Sequence, residues 1–73
     1  MRKEIELEKI KDNTEREIIK LLSEHDKFMM GDIVMKLRLS YQRGHEYLNS
    51  LLDKNWVSNT EQPPYYTLKI DLK

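Results

Sequence analysis

The sequence predicts a mainly α, α+β domain with a small β-hairpin, in the element order α-β-α-α-β-β, and three observations carry that prediction. Apolar residues recur at helical spacing from Ile18 to Leu22, and again through DIVMKLRLSYQRGHEYLNSLLDKNWV (32–57), where a tight turn splits two such runs. From Trp56 the period changes to two: Tyr66, Leu68, Ile70 and Leu72 alternate with Tyr65, Thr67, Lys69 and Asp71. Thr60-Glu61-Gln62-Pro63-Pro64 interrupts that region with a polar, prolyl stretch that cannot pair, so two strands fold back around it as a hairpin.

Residues 1–13 are dense in alternating charge, with Ile5, Leu7 and Ile10 as their large apolar groups. Ile5 and Leu7 alternate as in a strand, whereas Leu7 and Ile10 stand at helical spacing, and the pattern does not decide between them. The segment reads as a charged N-terminal extension, either solvated or laid on a second subunit, with the folded domain spanning 14–73.

Thr14-Glu15-Arg16-Glu17 has the form of a capping box, the threonine oxygen accepting from the Glu17 amide while Glu17 reaches back. Ile18, Ile19, Leu21 and Leu22 then make one apolar stripe, in a helix expected to finish near Glu24 or His25. Phe28-Met29-Met30 is a short apolar step suited to a one-rung strand. The helix after it carries Ile33, Val34 and Leu37, with Gly31 weakening its first turn. Ser40 is the natural N-cap of a third helix. On its wheel Gly44, Leu48, Leu51 and Leu52 cluster on one side, opposite Gln42, Glu46, Asn49 and Asp53, with Arg43 and Ser50 beside the latter. Gly44 costs about 1 kcal/mol relative to alanine in a helix interior, and either permits close helix contact or leaves the helix loose. Asp53-Lys54-Asn55 ends the helix, Asn55 being suited to the left-handed conformation. Trp56 follows as a core anchor at the entry to the first hairpin strand.

Seventy-three residues make one domain near the lower size limit for an independent core. With 38% hydrophobic and 36% charged residues, little apolar material remains for a wide substrate cleft. The absence of cysteine excludes disulfides and thiolate metal sites and fits a reducing interior. No apolar run reaches the roughly 18 residues of a membrane span, and MRKEIELEK lacks the apolar core of a signal peptide. The expected location is therefore the cytoplasm, the host's if the protein is viral. No glycine-rich phosphate loop, nucleophile with base, or carboxylate pair in a credible cleft can be assembled, so neither an enzyme, a cofactor nor a small-molecule substrate is expected. His25 and His45 have no metal-compatible partner, and Met29, Met30 and Met35 read as filler. Thirteen basic and thirteen acidic residues cancel, so any attraction to a polyanion has to come from local placement.

From Thr14 to Leu72 the chain resembles a winged helix-turn-helix domain, similar to those of small bacterial and archaeal repressors of the multiple-antibiotic-resistance and arsenic-responsive types. The pieces that carry the resemblance are Asp32-Ile33 with Leu37, Leu39-Ser40 at the turn, Leu48-x-x-Leu51, Asn55-Trp56-Val57 and Tyr66-x-Leu68. Three positions depart from the pattern. Arg38 stands where the family commonly has glycine, which implies a longer turn or a strained arginine. Gly44 replaces an aliphatic residue, and the tip from Asn59 to Pro64 has Glu61 but no lysine or arginine.

The resemblance implies a sequence-specific double-stranded DNA-binding protein, a transcriptional regulator acting as a homodimer on a palindromic site, with a recognition helix of about residues 40–54 in the major groove. Arg43 is then placed to grip guanine, and Gln42 and Asn49 to meet adenine. Ser40 can face a phosphate as well as cap its helix. Tyr41 offers its hydroxyl to a phosphate or its ring to the support helix. Lys36, Arg38 and Lys54 are candidate backbone contacts. A winged helix that binds another protein, in replication or transcription machinery, is the alternative, favoured by the neutral charge and the cation-free tip. A sequence-indifferent DNA coater is disfavoured by that same neutrality.

Overall fold

The computed structural model describes residues 3–25 and 27–73; Met1 and Arg2, within the segment read as an extension, and Asp26 lie outside the described residues. In chain order the elements are β1 (Lys3–Ile5), a 3-10 turn (Leu7–Lys9), α1 (Asn13–Glu24), α2 (Met30–Leu37), α3 (Tyr41–Asp53), β2 (Val57–Ser58), β3 (Thr67–Leu68) and β4 (Ile70–Leu72). The α+β class is as expected, while β1 and the separation of β3 from β4 go beyond the expected order. Among the described residues no helix is long and apolar enough to cross a membrane.

The start of α1 differs from the capping-box expectation. Asp12 is the cap: its Oδ1 accepts from the amides of Thr14 at 2.8 Å and Glu15 at 3.0 Å. An aspartate satisfies two orphan N–H groups and adds a negative charge at the positive end of the helix dipole, so it wins over the neighbouring threonine. Placing the helix start there buries Ile18, Ile19 and Leu22 against Ile33 of α2, Leu48 and Leu51 of α3, and Val57 and Ile70 of the strands.

Two left-handed residues close the other helices. Arg38 has φ 56 and ψ 43; its N–H donates to Met35 O at 3.4 Å, and that of Leu39 to Val34 O at 2.9 Å. This crossed pair is a Schellman closure. The turn is therefore not lengthened: it holds an arginine where glycine sits without strain, at a backbone cost of about 1 kcal/mol. Asn55 (φ 62) closes α3 in the same way, with Trp56 N–H donating to Leu51 O at 3.1 Å and Asn55 N–H to Leu52 O at 3.0 Å. Between the two closures, Ser40 caps α3 by accepting from the Arg43 amide at 3.2 Å.

At Gly44, α3 lies close against α2. A β-carbon built on it would overlap Val34 Cγ1. Of the two readings of this glycine, the structure gives close helix contact.

The strands form two small sheets. β2 and β3 pair antiparallel, Val57 opposite Leu68 and Ser58 opposite Thr67. A single rung between Phe28 and Tyr66 continues that pairing, which makes Phe28 the expected short step. The unbroken alternation expected from Tyr65 to Leu72 does not hold. Thr67 and Ile70 are the buried residues, three apart, and between them the Lys69 N–H donates to Trp56 O at 2.8 Å. That step releases β4 to pair parallel with β1, Lys3 opposite Ile70 and Ile5 opposite Leu72.

Residues 3–13, the described part of the segment read as an extension, are thus paired and packed against the rest of the fold. Ile10 is only 2% exposed within the core, and half-buried Ile5 and Leu7 pack against it. Arg16 clamps the segment onto α1, its Nη2 donating to Ile10 O at 2.6 Å and its Nη1 to Asn13 Oδ1 at 2.9 Å.

Two substitutions test this packing. Ile10→Ala should lower unfolding stability by about 2–4 kcal/mol in urea titration, the cost of a core cavity, where a solvated extension would show almost none. Gly44→Ala should destabilise by about 1–3 kcal/mol, reversing the gain alanine brings to an ordinary helix, and Val34→Ala in the same chain should recover part of that loss.

Candidate nucleic-acid interface

At 3.6 residues per turn α3 divides into sides with different chemistry. Gly44, Leu48 and Leu51 are buried. Gln42, Glu46, Asn49 and Asp53 are all exposed on the opposite side, two amides among two carboxylates. One flank carries Arg43, Tyr47, Ser50 and Lys54; the other carries Tyr41.

The Arg43 flank runs beside the start of α1. The Arg43 guanidinium, which has no burial of its own, donates from Nη2 to the Tyr47 hydroxyl at 3.2 Å and lies 5.7 Å from the ring centroid. That hydrogen bond, with the Coulombic attraction of the same residue once it is ionised, raises the guanidinium pKa above its ordinary value, and Glu46 and Asp12 add smaller contributions. Arg43 is therefore a fixed cation, tethered at one of its donors.

Further along the same flank, Lys54 is engaged within the fold. Its Nζ meets Glu15 Oε1 at 2.8 Å and Oε2 at 3.1 Å, and it stands 4.7 Å from the centroid of the Trp56 ring. Ser50 Oγ donates to Glu15 Oε2 at 3.0 Å. The Glu15 side chain is 9% exposed against 40% for Lys54, so the lysine compensates an acid inside the fold. A partner already committed to a nearly buried carboxylate is a poor phosphate ligand, because releasing it would leave that acid unpaired. The sequence held a signal for this pair: Glu15 lies three and four residues before Ile18 and Ile19, on the stripe that had to be buried, and so required a cation.

The remaining candidates stand at or before the start of α3. Lys36 and Arg38 are exposed on α2 and in the turn after it. Tyr41 reconciles its two expectations in part: its hydroxyl rests over Gly31 of α2, 3.4 Å from where a β-carbon would stand, while the residue stays 62% exposed. Met35, expected as filler, is 77% exposed. Ser40 is committed to capping through Oγ. Gln42 and Asn49 face solvent together.

The hairpin loop between β2 and β3 contributes no cation of its own. Lys27, from outside the loop, donates to Gln62 Oε1 at 3.4 Å and sits 4.6 Å from the Tyr65 ring centroid. No cluster of His, Asp or Glu among the described residues could hold a metal ion. Comparison with known protein families, with curated proteins and with solved structures gives no match.

Lys54→Ala should lower stability by about 1–2 kcal/mol by stripping Glu15 of its cation, and Glu15→Gln in the same chain should recover part of the loss. A fluorescence-monitored urea titration reads both, with Trp56 as the reporter.

Proposed function

We propose that this chain is a winged helix-turn-helix protein that binds double-stranded DNA sequence-specifically and regulates transcription, with α3 entering the major groove. The observation that carries the reading is Arg38. A left-handed position closing a helix favours glycine, and arginine there costs about 1 kcal/mol in backbone strain. No ion pair or hydrogen bond to the guanidinium is recorded among the described residues to offset that cost. Strain retained at an exposed cation, in the turn before a helix with an exposed polar side, points to a ligand outside the chain.

Lys36, Arg38 and Arg43 would supply the phosphate attraction that the net charge of zero does not. Gln42, Arg43 and Asn49 have the donor and acceptor sets that base edges require. So few cations give a weak monomer. Binding as a homodimer to a palindromic site, in the cytoplasm of the producing or host cell, is the corresponding assembly. Nothing in this role requires a cofactor, a metal or catalysis.

One set of observations favours a second reading, a module that binds another protein. Glu46 and Asp53 face solvent on the very side of α3 that DNA would meet, and Met35 and Tyr41 stand exposed nearby on α2 and at the start of α3. Methionine, tyrosine and arginine are enriched where proteins meet.

Gel shifts of random duplex at two salt concentrations separate the readings. DNA binding predicts retardation at low salt that weakens as salt rises. Arg38→Gly should reduce the slope of log affinity against log salt by about 1. The same variant should be more stable than the parent by about 0.5–1 kcal/mol, since the left-handed turn no longer holds a side chain. Absence of any shift at low salt gives the protein-binding reading the advantage.

A further inference from the structure

We propose that Tyr47 is a positioning residue that presents the Arg43 guanidinium to a base edge; this rests on the DNA-binding reading and deepens it. Long side chains on a helix lean back toward its N-terminus. Tyr47 therefore comes to lie beside Arg43, one turn earlier, and the Arg43 Nη2 donates to its hydroxyl at 3.2 Å. The ring beneath is a fixed platform, because Tyr47 is half-buried and packed against the core. The guanidinium faces it at 5.7 Å, close enough for cation–π attraction.

Three consequences follow from this geometry. An exposed arginine loses much rotamer freedom when it grips a base, and a tether that confines it beforehand reduces that loss. The planar fork keeps its other N–H donors free for a bidentate acceptor such as guanine. By accepting from Arg43, the tyrosine hydroxyl also keeps its own proton available to donate. Tyr47 lies at the border of the buried stripe and the flank facing α1, so its ring serves the core while its hydroxyl serves Arg43.

The test uses the full chain, duplexes selected from a random pool, and Tyr47→Phe, which keeps the ring and removes the hydroxyl. Tyr47→Phe should weaken binding by about fivefold to tenfold. The loss should fall at the same base pair whose preference is lost in Arg43→Ala. In the double variant Tyr47→Phe should add nothing further, since its effect acts through the arginine. In the free protein, the guanidinium N–H resonances of Arg43 should be resolved in the parent and merge in Tyr47→Phe.

Parent-like affinity and base preference in Tyr47→Phe, beside a defective Arg43→Ala, would overturn the positioning role and leave DNA binding intact. Additive losses would overturn it too, because the two side chains would then act independently. Unchanged guanidinium resonances would remove the tether itself. A parent chain that selects no duplex at low salt would defeat the DNA-binding reading, and this inference with it.

Discussion

The approach of α2 to α3 at Gly44 is the constraint on which the rest of the structure depends. Val34 occupies the space that any β-carbon at position 44 would need, so the two helices lie closer there than side chains on both would allow. That contact works with the left-handed closure at Arg38, which reverses the chain within a single residue of the end of α2. A tight turn and a missing β-carbon together fix the relation of the two helices. The buried leucines of α3 then meet the core, and Gln42, Glu46, Asn49 and Asp53 remain in solvent. Glycine, penalised by its helix propensity alone, is favoured here because packing outweighs the roughly 1 kcal/mol in question.

Charge is distributed by the same logic. The chain carries as many acids as bases, yet they are not equivalent once folded. Lys54 is drawn in to answer Glu15, Arg16 ties the first segment to α1, and Lys27 holds the hairpin loop. Lys36, Arg38 and Arg43 are left around the turn and the start of α3. Acids nevertheless stand near them: Lys36 shares a cleft with Glu17 and Glu24, and Glu46 and Asp12 act on Arg43. The carboxylates of Glu46 and Asp53 lie farther along α3, so the helix is basic at one end and acidic along its outward side. That polarity bears on both proposed readings, because it would orient either a duplex or a protein across the helix.

Much of the helical part was legible because its determinants are local. Ser40 as a cap, Asn55 as a left-handed closure, and the apolar spacing of Ile33, Leu48 and Leu51 each depend on neighbours within a turn or two. What escaped the sequence depends on distance or on close competition. Asp12 and Thr14 are both good caps two residues apart, and only the final register of α1 chooses between them. The break at Lys69 follows from a backbone bond to Trp56, thirteen positions earlier in the chain. The pairing of Lys54 with Glu15 spans 39 residues of chain. Within the candidate site, Gln42, Asn49, Lys36 and Arg38 stand exposed as expected. The contact between Arg43 and Tyr47 has the four-residue spacing of neighbours on a helix, but only the packing of the Tyr47 ring against the core fixes which way its hydroxyl is presented.

The parallel pairing of β1 with β4 has a kinetic consequence. It joins residues 3–5 to residues 70–72, so nearly the whole polypeptide must be brought round before those few hydrogen bonds can form. Closing so long a loop is entropically unfavourable, and two short parallel strands return little until the helices already hold the ends near each other. This clasp should therefore be late to assemble and early to open, with amides that exchange with solvent faster than those of the helical interior. Local fraying there would loosen Ile10 from the core, which ties the integrity of the three-helix body to the pairing of the chain's two ends.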